Sequence, residues 1–163
     1  MKLLFICTHN RCRSILAEAI ANQVGSGKIT AFSAGSSPQD AVHPMSLHHL
    51  QQSGYNTAGL KSQSWDEFES LEPDAIITLC DKAASESCPV WFDGSVMVHW
   101  GFPDPSNDDL PADQQKSKFE RTMEVLNQRV NALTQSSMID LRGEELRSSL
   151  EKIAEAFPSS STG

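Results

Sequence analysis

The stretch "KLLFICTHNRCRSILAEAIANQV", residues 2–24, joins three patterns. A continuous apolar run from Leu3 to Ile6 predicts a buried strand. The short polar segment CTHNRCRS, residues 7–14, follows it. From Ser14 onward, apolar residues recur at helical spacing until Gly25. A strand, a polar loop and a helix in this order are typical of a βαβ unit, which predicts a parallel sheet.

The rest of the chain repeats this alternation of short apolar and longer amphipathic segments. Further strands are predicted in KITAFSAG at 28–35, DAIITLC at 74–80 and GSVMVHW at 94–100. Further helices are predicted over 44–54, 114–133 and 140–157. The fold class is therefore α/β with a four-stranded parallel sheet. We expect one domain over residues 1–157, ending in a C-terminal helical extension, and a mobile tail over 158–163.

Composition limits the functions that the chain could have. Of its 163 residues, 39% are hydrophobic and 21% charged, which is typical of a globular domain. A net charge of −8 argues against nucleic acid or an acidic membrane as a partner. The N-terminal apolar run is too short for a secretory signal, and no run is long enough to span a membrane. We expect a cytoplasmic protein, whose four cysteines are then reactive or metal-bound rather than structural disulfides.

Residues that can carry chemistry follow the predicted strands. Cys7, Cys80 and Asp104 each lie at or just beyond a strand end, and the carboxyl ends of parallel strands form one ligand-binding rim. A cysteine that faces a helix N-terminus has a favoured thiolate. Arg13 offers a planar fork that matches two oxygens of a tetrahedral anion, and Ser14 can donate a hydrogen bond to the sulfur. The loop therefore predicts attack by Cys7 on a phosphate-like dianion. Three roles stay open for Cys7 and Cys12: a redox pair, two metal ligands, or a nucleophile with a bystander.

CTHNRCRS resembles the C-x5-R-S loop of the low-molecular-weight protein tyrosine phosphatase superfamily, which includes arsenate reductases. SAG at 33–35, TLC at 78–80 and HWGFPDP at 99–105 extend the resemblance over nearly the whole chain. It implies a three-layer fold with helices on both sides of the sheet. It also implies that Asp104 is the general acid and that Cys12 is a non-essential neighbour of Cys7. The implied oxyanion-binding residues are Thr8, His9, Asn10, Arg11, Cys12, Arg13 and Ser14.

Three features depart from the family pattern. His9 replaces a common glycine, so we expect histidine to tolerate the loop's unusual backbone there. Arg11 replaces a small residue, and it is either a solvated rim residue or a second attraction for the anion. In relatives that bind potassium beside the loop, three positions match Asn10, Glu18 and Ser33, which makes a weak potassium site possible. Ser64 stands where those relatives have an aspartate.

The two branches of the superfamily differ outside this loop. Phosphatases place aromatic residues after the Asp-Pro pair, whereas Pro105 is followed here by Ser106 and Asn107. CDKAASESC, residues 80–88, is similar to the redox segment of thioredoxin-coupled arsenate reductases, and its small polar residues predict low intrinsic order. The resemblance implies a relay in which Cys7 attacks arsenate, Cys80 attacks Cys7 and Cys88 attacks Cys80. It implies no tightly bound cofactor, and an external reductant that is thioredoxin, or glutaredoxin with glutathione.

Other interpretations stay open. The main alternative is a phosphatase that hydrolyses a phosphoester through a phosphocysteine. A third is an oxyanion-binding or redox-sensing module without turnover. A zinc site made of the four cysteines lacks the usual C-x2–4-C pairing in its second half. Finally, we expect Trp100 and Phe102 to lie in the core or to anchor a loop, and His43, His48 and His49 to lie on a solvated helix face.

Overall fold

The computed structural model describes residues 1–85, 89–92, 94–106 and 109–159. Its centre is a four-stranded sheet in the order β2-β1-β3-β4, and every neighbouring pair is parallel. This confirms the predicted α/β class. The strands are β1 (Lys2–Ile6), β2 (Thr30–Ala34), β3 (Ala75–Thr78) and β4 (Val96–His99).

Five α-helices and three 3₁₀ helices accompany the strands in the described ranges. The α-helices are α1 (Arg13–Val24), α2 (Pro44–Gln52), α3 (Asp81–Ser85), α4 (Ala112–Thr134) and α5 (Gly143–Ala156). The 3₁₀ helices are Trp65–Phe68, Val90–Phe92 and Ser136–Asp140. None of the helices in these ranges is long and apolar enough to cross a membrane.

The last predicted helix and the segment after Cys80 differ from the structure, whereas the other predicted helices differ by at most two residues at either end. The last predicted helix, 140–157, begins only at Gly143, whose positive φ of 61° suits glycine, after the 3₁₀ helix Ser136–Asp140. The segment after Cys80 was expected to have low order, yet residues 81–85 form α3. Two alanines favour the helical backbone, and Asp81 in the first turn complements the helix dipole.

Apolar side chains fill both faces of the sheet, which explains the unbroken apolar run of β1. Leu3 and Phe5 belong to the larger cluster, with residues from α1, α4 and α5. Leu4 and Ile6 belong to a smaller cluster on the opposite face. Cys7, Cys80 and Phe92 share this smaller cluster, so both sulfurs sit on the same side of the sheet.

The C-terminal helix α5 packs against β4 and the residues that follow it. Its buried face consists of Leu146, Leu150 and Ile153. The Trp100 indole N–H donates to the Leu150 carbonyl at 3.0 Å, and Arg147 Nη1 donates to the Met97 carbonyl at 2.6 Å. In the predicted tail, the Ser159 hydroxyl donates to the Gly101 carbonyl, while residues 160–163 lie outside the described ranges. Trp100 and Phe102 lie in the core, as predicted.

Candidate active site

The loop between β1 and α1 is seated against the end of β2. The Cys7 N–H donates to the Ala34 carbonyl at 3.2 Å, which continues the strand pairing into the loop. Gly35 follows, and a Cβ there would lie 2.5 Å from the Thr8 carbonyl oxygen and 3.0 Å from that of Cys7. Only glycine lets the backbones approach so closely, which explains the last position of SAG.

Asn10 holds the loop in shape. Its φ of 50° is the left-handed conformation that asparagine tolerates better than most residues. Its amide nitrogen donates to Ser14 Oγ at 2.8 Å and Ser33 Oγ at 3.0 Å, and its amide oxygen accepts from the Gln63 N–H at 2.8 Å. The left-handed residue of the loop is therefore Asn10.

Arg13 begins α1 and lies half-buried beside the loop. Its Nη1 donates to the Phe102 carbonyl at 2.8 Å, which ties it to the segment after β4. Its Nε is buried and has no hydrogen-bond partner within the described part of the chain. An unpaired buried donor is costly, and an oxyanion would supply the missing acceptor. The guanidinium therefore has the geometry of an anion-binding group.

Cys7 and Cys80 lie within hydrogen-bonding reach of each other. Cys80 Sγ is also 3.4 Å from Thr8 Oγ1 and accepts from the Ala83 N–H of α3 at 3.4 Å. The hydrogen bond from Cys7 lowers the pKa of Cys80 to about 4, helped by those from Thr8 and Ala83 and opposed by burial. The lowered pKa of Cys80 and the raised pKa of Cys7 together favour a single negative charge on the pair, with Cys80 as the more acidic sulfur.

This arrangement reverses an expectation about Cys7. The loop predicts a depressed pKa for Cys7, but the hydrogen bond to Cys80 and burial raise that pKa instead. Arg13 and the Ser14 N–H oppose the rise. Two sulfurs this close cannot both hold a charge at low cost, so the ionisation of one opposes that of the other.

Cys12 is buried in the same loop but has a different environment. It precedes α1 as its N-cap residue, without a side-chain capping bond. Burial raises its pKa to about 12, so Cys12 remains a thiol at neutral pH. That state suits a bystander rather than a nucleophile.

Asp104 lies on the exposed loop after β4. Its Oδ1 accepts from the Ser106 N–H at 2.9 Å and the Ser106 hydroxyl at 2.6 Å. Burial raises the pKa of Asp104, but the Ser106 hydrogen bonds and the charges of Arg13 and His43 outweigh it, and the net shift is downward. Asp104 is thus a carboxylate at neutral pH, and it must gain a proton before it can act as an acid.

The remaining predicted site residues are His9 and Arg11 of the loop and Cys88 of the segment 80–88. His9 is exposed, and its Nδ1 lies 3.1 Å from the Ser37 carbonyl and 3.1 Å from Gln39 Nε2. Arg11 is half-buried, and its carbonyl accepts from His43 and from Ser46, which joins the loop to the start of α2. Cys88 lies outside the described residues.

Two histidines expected on a solvated face are buried instead. His43 caps α2, where its Nδ1 accepts from the Met45 N–H at 3.1 Å, and His49 stacks on Phe119 with ring centroids 4.5 Å apart. Only His48 of the three is exposed. Pro44 at the first helical position marks His43 as the capping residue, so a signal existed in the sequence. The charge of His43 lowers the pKa of Asp104. His43 is therefore a neighbour of the site that the sequence analysis did not identify.

The residues predicted for potassium do come together. Ser33 donates to Glu18 Oε1 at 2.6 Å and accepts from Asn10, while Ser64 caps the Trp65–Phe68 helix instead of turning to them. Burial raises the pKa of Glu18, although the Ser33 hydrogen bonds oppose it. No group of three His, Cys, Asp or Glu side chains suited to a metal ion occurs among the described residues. Potassium binding stays a prediction.

The chain matches a known protein family and several arsenate reductases. Residues 2–147 match the family described as low molecular weight phosphotyrosine protein phosphatase. The chain is 30% identical over 109 residues to the glutaredoxin arsenate reductase of Synechocystis sp., covering 67% of this chain and 82% of that one. It is 29% identical over 134 residues to an arsenate reductase of Brevibacillus brevis, covering 82% and 94% of the two chains.

Solved structures agree. An arsenate reductase in the phosphate-binding state superposes with a TM-score of 0.67 at 28% identity, covering 82% of this chain and 95% of the other. A thioredoxin-dependent arsenate reductase of Corynebacterium glutamicum gives a TM-score of 0.64 at 24% identity, covering 86% and 63%. The second likeness shows the fold alone.

Proposed function

This chain belongs to the low molecular weight phosphotyrosine protein phosphatase family, and within that family we propose that it reduces arsenate to arsenite through Cys7, Cys80 and Cys88. The observation that carries the proposal is the second buried sulfur. Hydrolysis through a cysteine intermediate needs one cysteine, whereas reduction needs a second that can attack the first. Cys80 lies within hydrogen-bonding reach of Cys7, and that hydrogen bond lowers the pKa of Cys80, which favours its thiolate.

A phosphotyrosine substrate has less support. Ser106, which follows the Asp-Pro pair, binds Asp104 and offers no aromatic surface for a tyrosine ring. The chain has one tyrosine, Tyr55, and its hydroxyl accepts from Asn127 on α4. A small inorganic anion fits such a site better than an aryl ester.

The first step forms a bond between sulfur and arsenic. The Arg13 fork and the N–H groups of residues 8–14 hold the arsenate oxygens. The Cys7 thiol gives its proton to a bound oxygen, and the resulting thiolate attacks arsenic. One arsenate oxygen leaves as water. Asp104 takes that proton from the bound arsenate and passes it to the leaving hydroxyl, so the proton released by Cys7 ends in the water molecule.

The second and third steps transfer electrons among sulfurs. The Cys80 thiolate attacks Cys7, a disulfide forms, and the bonding pair of the sulfur–arsenic bond stays on arsenic, which leaves as arsenite. Cys88 then attacks Cys80, which forms the Cys80–Cys88 disulfide and releases the Cys7 thiolate. An external dithiol reduces that disulfide. We assign this role to thioredoxin, with glutaredoxin and glutathione as the second candidate. The free thiols suit a reducing cytoplasm.

The test supplies arsenate with thioredoxin, thioredoxin reductase and NADPH, and measures both NADPH consumption and arsenite released per protein. Cys80→Ser should release no arsenite. Cys88→Ser should release at most one arsenite per protein, because the Cys7–Cys80 disulfide forms once and cannot pass on. Cys12→Ser is the matched control and should keep wild-type turnover.

Two results would count against the proposal. Sustained wild-type reduction in both the Cys80 and Cys88 variants would refute the relay. Absence of arsenite with either thioredoxin or glutaredoxin, combined with hydrolysis of p-nitrophenyl phosphate, would favour the phosphatase alternative.

A further inference from the structure

Arg129 of α4 is a buried cation outside the catalytic loop. It is 2% exposed, and its guanidinium carbon lies 4.7 Å from the centre of the Phe102 ring and 5.2 Å from that of Trp100. No carboxylate pairs with it among the described residues, and its Nη1 is without a hydrogen-bond partner in the same ranges. A buried charge that lies against two aromatic faces constrains the rings it touches.

Phe102 connects this cation to the anion-binding loop. Its carbonyl accepts from Arg13 Nη1 at 2.8 Å, and its N–H donates to the Leu79 carbonyl at 2.9 Å. One residue thus contacts Arg129 through its ring and Arg13 through its backbone. The ring and the carbonyl are joined through one Cα atom, and Phe102 is buried, so a ring fixed by Arg129 also restrains the backbone that carries the carbonyl.

The C-terminal segment fixes Arg129 from the other side. Arg129 Nε donates to the Phe157 carbonyl at 3.0 Å and Nη2 to the Ala154 carbonyl at 3.5 Å. These carbonyls lie in and just after the last turn of α5, where a cation is favoured by the helix dipole. This turn lies beyond residue 147, where the family match ends.

We propose that Arg129 and the last turn of α5 position Phe102, and that Phe102 in turn sets the orientation of Arg13 toward the bound oxyanion. Arg129 is a positioning residue, since it contacts neither sulfur nor substrate. Nη1 of Arg13 is held by the protein, so its Nε stays directed to the anion. The inference rests on the proposed function only in taking Arg13 as the oxyanion-binding side chain.

The test measures phosphate binding by calorimetry and the KM and kcat for arsenate, in wild-type protein and in Arg129→Met. Methionine keeps length and packing but removes the charge and both hydrogen bonds. We expect the phosphate Kd and the arsenate KM to rise by about tenfold or more, with a smaller change in kcat. Arg129→Lys, which keeps the cation, should recover part of the affinity.

Matched controls separate positioning from stability. Arg121→Met changes an exposed arginine of the same helix, whose Nη1 lies 3.7 Å from Glu124, and should bind phosphate as wild type does. Phe102→Leu keeps the carbonyl but removes the ring, so it should weaken phosphate binding as Arg129→Met does, and the double variant should add little. The Phe102→Leu variant also serves as the test if Arg129→Met does not fold.

A folded Arg129→Met protein with wild-type phosphate affinity and a lower Tm would overturn the proposal, as would full additivity with Phe102→Leu. Phosphate binding is measured without turnover. A wild-type protein that binds phosphate but reduces no arsenate would therefore refute the proposed function while leaving this test in force.

Discussion

Cys80 owes its thiolate to three neighbours that lie in different parts of the chain. Cys7 and Thr8 come from the loop after β1, and the Ala83 N–H comes from the first turn of α3. Each donor favours the charged sulfur, and together they outweigh burial. The pKa of Cys80 therefore depends on the loop after β1 and on α3 together.

The Cys80 thiolate should be visible in a pH titration followed by ultraviolet thiolate absorbance. Because its pKa is lowered to about 4, we expect the signal to persist at pH 6 and to disappear as the pH falls through about 4. Cys7→Ala removes the largest stabilising hydrogen bond, so the midpoint should move upward. Cys80→Ser is the control and should lack the acidic step; if that step survives in it, the charge belongs to another sulfur.

At the scale of elements, the loop after β1 and the end of β2 form one unit. Gly35 fits between backbone atoms of Thr8, Cys7 and Asn10, all within 3.1 Å of where a Cβ would stand. Backbone atoms cannot move aside as the tip of a flexible side chain can. The conformation of the loop after β1 therefore depends on Gly35, a residue that has no side chain to take part in the reaction.

Gly35→Ala should lower the free energy of unfolding by about 1–3 kcal/mol and weaken phosphate binding, because the loop must shift to admit the methyl group. Urea unfolding and phosphate titration measure the two effects. Gly59→Ala is the control: its φ is 81°, and no atom lies within 4 Å of its Cβ position. It should cost about 1 kcal/mol through backbone strain and leave phosphate binding unchanged. Equal phosphate affinity in both variants would contradict the seating of the loop.

At the scale of the whole molecule, α5 shares the larger core cluster with Phe5, Trp100 and Phe119. Leu150→Ala should therefore reduce the free energy of unfolding by about 2–5 kcal/mol. Unfolding should remain a single transition in urea, followed by tryptophan fluorescence and circular dichroism. Glu151→Ala changes the exposed neighbour and should have little effect. An unchanged Leu150→Ala midpoint, or a separate transition for α5, would show that the helix is not part of the core.

The sequence predicted the framework well, because apolar periodicity reports directly on strands and helices. The four strands, their parallel pairing and the meeting of Cys7 with Cys80 at the ends of two strands were predicted from local patterns. The contacts of Phe102 with Arg13 and Arg129 could not be predicted, since they join residues of three separate segments. The charge on Cys80 was missed for the same reason, and α3 was missed because five residues give too little periodicity.

The pairing of β1 with β3 has a consequence for sulfur chemistry. Ile6 lies opposite Thr78, and the two cysteines follow within two residues of these partners. Neighbouring strands run about 4.8 Å apart, and the Cα atoms of a disulfide usually lie about 4.4–6.8 Å apart. The backbone hydrogen bonds that join the two central strands therefore also set the distance that the proposed Cys7–Cys80 disulfide would bridge.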